Sequence, residues 1–288
     1  MIDLHCHTKY SDGTWTVTEL LQKASEKQIE ILAITDHDTV AAHFELENLN
    51  IKDYYQGKII IGSEINCVFD NIKIELLGYN FNKEKVQKWL DKIYNKDNFR
   101  NCLLKEFNDM CELCKKNKVT ISDNIKYDPN KEYPIEVIHN DITKYKENKN
   151  KIDKEAWESS SVFFRKCTTD KNFILYRNFT ESLPSAEEVS KIIRENGGKV
   201  FLAHLFIYEM DNHMKFLEKI SNAYIIDGVE CYYSRFNNEQ IKLIEDFCKE
   251  KSLYISGGTD CHGDKNEIEL GTGYGNLNVN KTKIEKWL

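Results

Sequence analysis

Three short apolar runs, far apart in the chain, each end in a cluster of histidine and aspartate, and this pattern restricts the fold more than any other feature. The first is the very start, Asp3-Leu4-His5-Cys6-His7, continuing to Asp12. Ile2, Leu4 and Cys6 alternate with the polar positions, so on a β-strand both imidazoles face one side and the small apolar groups the other. The second cluster, Thr35-Asp36-His37-Asp38, closes the run Ile29 to Ile34, and the third, Thr259-Asp260-Cys261-His262, follows Leu253 to Ile255. Paired imidazoles at a strand end pack poorly but are good borderline-to-soft metal ligands. The pattern predicts one site assembled from the ends of several strands.

The intervening sequence supplies a strand–helix rhythm. Thr16-Val17-Thr18-Glu19 is a capping box opening a helix to about Lys27, and Ser185 with Glu188 forms another. Strands are predicted over Glu30 to Ile34, Lys58 to Ile61 with Gly62-Ser63-Glu64 at its end, and Ile72 to Leu77 carrying Glu75. Further strands follow at Lys199 to Ala203 before His204, Ile225 to Glu230, and Tyr254 to Ser256. A helical segment is expected from Val40 to Gln56, and Asn237 to Lys249 is a capped helix. About seven strands, each followed by a crossover, give an α/β fold with mostly parallel strands. In such folds active groups lie at the carboxyl ends of the strands, where all these clusters fall.

Between residues 82 and 180 the rhythm breaks into long charged helices, notably Lys83 to Tyr94 and Phe99 to Lys116, and then a polar stretch open to disorder near 144 to 152. The expected organisation is a catalytic barrel of residues 1–81 plus 181–288 and an inserted, mainly helical, substrate-covering lobe of residues 82–180. A net charge of −7 with 30% charged residues offers no global attraction for nucleic acid. No apolar run approaches the roughly 20 residues of a membrane span and no signal-like segment is seen, so cytoplasmic residence is expected. Nine cysteines are scattered, with one C-x-x-C pair at Cys111 and Cys114 that reads as helix packing. Cys6 and Cys261 read as small apolar groups behind the site.

Five of the eight histidines, His5, His7, His37, His204 and His262, sit at the predicted strand ends beside Asp12, Glu64, Glu75 and Asp260. Gathering so many titratable groups without a cation is costly. Mixed nitrogen and oxygen donors in this number imply two or three divalent ions, with zinc, manganese and iron fitting better than calcium. Hydrolysis of a phosphate ester by metal-activated water is the chemistry such a site favours. No G-x-S-x-G element or Walker loop is present to suggest covalent catalysis or nucleotide-triphosphate binding.

H-x-H at 5 and 7, S-D-G-T at 11 to 14, A-I-T-D-H-D at 33 to 38 and G-x-E at 62 to 64 resemble the PHP (polymerase and histidinol phosphatase) superfamily. L-L-G-Y at 76 to 79, L-A-H at 202 to 204 and G-G-T-D-C-H-G at 257 to 263 complete the likeness. The resemblance implies a distorted (β/α)7 TIM-like barrel and a trinuclear metal centre. It places His5, His7, Glu64 and Asp260 around one ion, with Glu64 bridging to a second held by Glu75 and His204, and Asp12, His37 and His262 around the third. Of these, Asp12, His37, Glu64, Asp260 and His262 also take part in catalysis by this likeness. Position 75 usually carries histidine in the superfamily, whereas this chain has glutamate.

The lobe and E-x-Y-Y-x-R at 230 to 235 resemble the small phosphoesterases acting on nucleotides. That similarity implies phosphate contact by Arg235 and a substrate-facing His139, although the arginine and proline usual beside such a histidine are missing. The leading expectation is a phosphomonoesterase acting on a small nucleotide-like substrate, such as the 3'-phosphate of nucleoside 3',5'-bisphosphates. The alternatives are a 5'-3' exonuclease on short single-stranded RNA, a histidinol-phosphate phosphatase, or a degenerate metal-binding regulatory protein. A small phosphorylated metabolite or nucleotide is the expected partner, with no membrane and no obligate protein partner.

Overall fold

The computed structural model of the chain describes residues 1–178, 182–264, 267–279 and 281–288. It forms two compact units, Met1–Lys92 with Leu183–Leu288, and Ile93–Ser182. In chain order the strands are β1 (Ile2–Asp3), β2 (Ile31–Ile34), β3 (Lys58–Phe69), β4 (Ile72–Tyr79), β5 (Lys199–Leu202), β6 (Gly228–Tyr233) and β7 (Tyr254–Gly258). They pair in that same order into one seven-stranded sheet. The sheet all but closes on itself: Leu4 N donates to Gly257 O at 3.1 Å, and Cys6 bridges Cys261 in parallel. Gly258 permits this closure, because a Cβ there would lie 2.3 Å from the His5 amide nitrogen.

Helix α1 (Val17–Glu26) connects β1 to β2 and starts at the Thr16/Glu19 capping box, with Leu20, Leu21 and Ala24 buried. Between β2 and β3 the expected long helix is instead a short α2 (Ala41–Glu45) and two 3₁₀ turns, Leu46–Asn48 and Ile51–Asp53. The largest departure comes next. Strand β3 does not stop at Glu64 but continues to Phe69, and it turns directly into β4 as an antiparallel hairpin. Asp70 and Asn71 both take positive φ, 55° and 60°, which matches the right-handed twist of a two-residue turn. There is therefore no crossover between β3 and β4, and β4 is antiparallel to β5 as well. The other neighbouring pairs are parallel.

Helix α3 (Lys83–Ile93) follows β4 and buries Val86 and Leu90. Its Gln87 side chain accepts from the Val40 amide at 2.8 Å. The chain passes from the first unit to the second between Lys92 and Ile93, at the last residue of this helix. The second unit contains α4 (Lys96–Lys116), α5 (Pro134–Ile142), α6 (Lys154–Glu158) and α7 (Ser160–Phe163) around a core that includes Met110, Cys114, Ile138 and Phe163. The polar stretch near 148 is ordered: buried Asn148 donates to Thr120 O and Ile142 O at 2.7 and 2.9 Å and accepts from Thr120 N at 2.8 Å. Back in the first unit, α8 (Ala186–Glu195) begins at the Ser185/Glu188 capping box, α9 (His213–Asn222) precedes β6, and α10 (Asn238–Lys251) is capped by Asn237 and Gln240. A last turn, α11 (Lys281–Ile284), ends the chain. Among the described residues no helix is long and apolar enough to cross a membrane.

Candidate metal centre

The parallel strands point their carboxyl ends at one mouth, which receives His5 and His7 after β1, His37 after β2, His204 after β5, and Asp260 and His262 after β7. Glu64 lies within the extended β3 and is bridged in parallel to His37. Because β4 runs the other way, its amino-terminal half, not its end, reaches this mouth. In the hairpin register Asn66 opposes Glu75 and Glu64 opposes Leu77, so Glu64, Asn66 and Glu75 share a face.

Glu64 is the hub. Its Oε2 lies 3.0 Å from His5 Nε2, 3.3 Å from His7 Nε2 and 3.4 Å from His37 Nδ1, while Oε1 lies 2.8 Å from His204 Nε2. Asp260 Oδ1 is 3.1 Å from His7 Nε2 and 3.4 Å from His5 Nε2. Glu75 Oε2 is 3.4 Å from His204 Nε2, and Asp12 Oδ1 is 3.0 Å from His262 Nε2 and 3.9 Å from His37 Nε2. The rings of His7 and His262 stack with centroids 4.2 Å apart. Three groups bring their donor atoms within 4.8 Å of one another: His5, His7, Glu64 and Asp260; His7, Asp12, His37 and His262; and His37, Glu64 and Glu75.

These donors fit divalent cations. His5 directs Nδ1 at Glu230 Oε1, 2.8 Å away, and Nε2 at the carboxylates of Glu64 and Asp260, and against its own burial these acids raise its pKa well above the ordinary imidazole value. Carboxylates gathered this closely demand positive charge among them, from protonated imidazoles or from bound cations. His7 Nε2 and His37 Nδ1 are buried with no hydrogen-bond partner among the described residues. The titration of the groups reports the same demand. Burial alone would lower the histidine pKa values, yet Asp260 and Glu64 raise His7 to about 9, and Glu64, Glu75 and Glu230 raise His204 to about 9. Burial drives His37 down to about 4, so it remains a neutral donor. Against its own burial, Glu64 is held well below the usual carboxylate range by His5, His204 and His7.

A further set of residues, present in the sequence motifs but given no role there, fixes these donors. Glu230 is fully buried; besides His5 it accepts from the His204 amide at 2.8 Å. Tyr233 donates to Asp260 Oδ2 at 2.9 Å. Asp36 accepts from Thr8 N and Thr8 Oγ1 at 2.7 and 2.6 Å and from Ser11 Oγ at 2.6 Å. Asp3 accepts from Thr259 N at 2.9 Å, Thr259 Oγ1 at 2.6 Å and Gly271 N at 2.8 Å, tying β1 to the loop after β7. The available signal was a buried acid between apolar neighbours on a strand, as at Asp3 and Glu230.

Arg235 lies two residues after Tyr233 and is exposed, with no ion-pair partner among the described residues. His139 has a different place from the substrate-facing one expected. It is buried in the core of the second unit, where Nε2 lies 2.9 Å from Ala156 O and 3.2 Å from Trp157 O and the ring packs 5.4 Å from Phe163. With that nitrogen committed to backbone carbonyls, it is a packing residue of helix α5.

A seven-stranded barrel with a carboxylate–imidazole cluster at its mouth defines a class, the hydrolytic enzymes that work through bound metal. The sequence profile of the PHP domain matches residues 3–199, and the chain belongs to that family of metal-dependent phosphoesterases. A 5'-3' exoribonuclease of Haemophilus influenzae is 28% identical over 290 aligned residues, spanning 99% of this chain and 97% of the relative. The 5'-3' exoribonuclease Rnm of Escherichia coli is 40% identical over 78 residues, 27% of each chain. Among solved structures, a protein of Bifidobacterium adolescentis inferred to be a metal-dependent phosphoesterase superposes with a TM-score of 0.60 at 21% identity, covering 99% of this chain and 94% of its own. An amidohydrolase from Chromobacterium violaceum with bound sulfate and no metal gives 0.61 at 18% identity, covering 94% and 89%. Both share the fold.

Proposed function

We propose that this protein is a metal-dependent 5'-3' exoribonuclease that releases nucleotides from the 5' end of short RNA. The observation that carries the reading is the end-to-end alignment with the Haemophilus exoribonuclease, which spans both the barrel and the inserted unit. Hydrolysis of a phosphate monoester would use the same cluster, but nothing in the chain favours that narrower substrate over a diester.

In this reading His5, His7, Glu64 and Asp260 would hold one divalent ion, Glu64, Glu75 and His204 a second, and Asp12, His37 and His262 a third, with zinc, manganese or iron as the occupants. Bound ions supply Lewis-acid neutralisation of the phosphate and lower the pKa of a coordinated water. The protein's share is placement and charge. Glu230 keeps the His5 proton on Nδ1 and so aims Nε2 into the cluster. Tyr233 pins Asp260, and His37 stays unprotonated through neutral pH. Arg235, with no competing carboxylate among the described residues, meets a non-bridging phosphate oxygen. The unit of residues 93–182 has substrate selection as its part in the reading. Nine free cysteines support a reducing, cytoplasmic setting.

The test is product analysis. The full chain with manganese is incubated with a 5'-phosphorylated short RNA labelled at its 3' end, and separately with a nucleoside 3',5'-bisphosphate. Stepwise shortening with release of mononucleotides, abolished in Asp260→Asn, is the expected result. Inorganic phosphate from the bisphosphate with no shortening of RNA would replace this reading with the phosphomonoesterase one.

A further inference from the structure

We propose that the metal centre is graded in hardness, with Glu75 making the β4 end the position that takes manganese or magnesium while the remaining positions favour zinc or iron. The inference rests on the functional reading above, because it concerns the ions that reading requires.

The three groups differ in donor atoms. His7, Asp12, His37 and His262 offer mostly imidazole nitrogen; His5, His7, Glu64 and Asp260 are balanced; His37, Glu64 and Glu75 are mostly carboxylate oxygen. Imidazole favours zinc and iron over manganese and magnesium, and replacing it with carboxylate narrows that preference. His37 sharpens the contrast. Its Nδ1 lies 3.4 Å from Glu64 Oε2, while its Nε2 lies 3.9 Å from Asp12 Oδ1. A neutral imidazole has one bare nitrogen, so it serves one end only. In the assignment of ions proposed above it serves Asp12 and His262, which leaves Glu64 and Glu75 with His204, whose Nε2 is 2.8 Å from Glu64 Oε1 and 3.4 Å from Glu75 Oε2. Two carboxylates and one imidazole make the hardest donor set in the cluster.

The backbone holds Glu75 at this end. Its amide donates to Tyr208 Oη at 3.0 Å, and it sits in register opposite Asn66. Its other oxygen lies 3.9 Å from the ammonium of exposed Lys73, a solvent-screened contact that a divalent ion outcompetes. No histidine neighbours Glu75 in β4, where Ile74 and Leu76 are fully buried apolar residues, so its own side chain sets the donor type there.

The full chain, purified without chelator and loaded with zinc, is titrated with manganese at buffered free zinc. Bound metals are counted by mass spectrometry and manganese is followed by electron paramagnetic resonance. One ion is expected to exchange at a manganese-to-zinc ratio about tenfold or more below that needed for the others, with the hyperfine pattern of an isolated manganese ion. Glu75→His should raise that ratio by about tenfold, and Glu75→Gln, of the same shape, should abolish the early step. Exchange of all ions in one step, or a Glu75→His curve that coincides with wild type, overturns the gradation while leaving the hydrolase reading intact. A chain that retains no divalent ion overturns both.

Discussion

Glu230 serves two partners with one carboxylate, accepting from His5 Nδ1 and from the His204 amide, both at 2.8 Å. Glu230→Gln keeps the shape but gives one end of the side chain a donor, which must then face either the His5 N–H or the His204 N–H. Groups that orient ligating histidines in this way typically contribute 10–100-fold in metal affinity. Glu230→Gln is therefore expected to weaken retention of the ion at His5 by about that factor, read by metal analysis after dialysis, with the fold unchanged by circular dichroism. Retention equal to wild type would mean that the His5 ring is held by packing alone. The ligand types themselves were legible in the sequence, because alternation puts His5 and His7 on one face whatever the strand's neighbours are. The roles of Glu230, Tyr233 and Asp36 were not, since each acts by a hydrogen bond to a residue distant in sequence, and such a bond exists only once the strands are assembled. His139 was misread for the converse reason. A motif likeness put it before a substrate, whereas Ile135, Ile138 and Ile142 mark the buried face of α5 on which it lies.

Among the elements, the β3–β4 hairpin decides the site more than any helix does. It reverses β4, brings Glu75 beside His204 and makes β3 long enough to carry Glu64 mid-strand. The turn depends on two consecutive residues in the left-handed region, Asp70 and Asn71, at φ 55° and 60°. A β-branched residue there meets its own carbonyl, so Asn71→Val should cost about 1–2 kcal/mol, whereas Asn71→Gly should be neutral or stabilising. Urea denaturation of the holoprotein measures both. Equal midpoints for the two variants would show that the turn adapts without cost. Asp70-Asn71 is a turn-forming pair, but the apolar runs on either side read equally well as strands separated by a crossover. Only the tight turn itself rules that out, because a parallel connection needs a dozen or more residues and Asp70-Asn71 supplies two.

On the scale of the whole molecule, every residue of the proposed metal cluster, from His5 to His262, belongs to the first compact unit, while the second has its own core around Met110, Ile138 and Phe163. The loss of short strands marks a change of organisation in the sequence but gives no sharp edge, since α3 is a charged helix whose place in the first unit shows only through its buried Val86 and Leu90 and the Gln87–Val40 hydrogen bond. Metal binding should therefore stabilise one unit selectively. Ions that bind the folded barrel and not the unfolded chain add about 2.7 kcal/mol for each site held at one hundred times its dissociation constant. Stripping them also leaves the Glu64, Glu75 and Asp260 carboxylates with only protonated histidines, His7 and His204 among them, as counter-charge. Calorimetry of holoprotein and chelator-treated protein should show a barrel transition that moves down by several degrees on metal removal. A lobe transition, followed by hydrogen exchange at the amides of α5, should stay in place. If the α5 amides lose protection in step with those of β1 and β7, the two units unfold as one cooperative body, and the stabilisation by metal extends to the second unit.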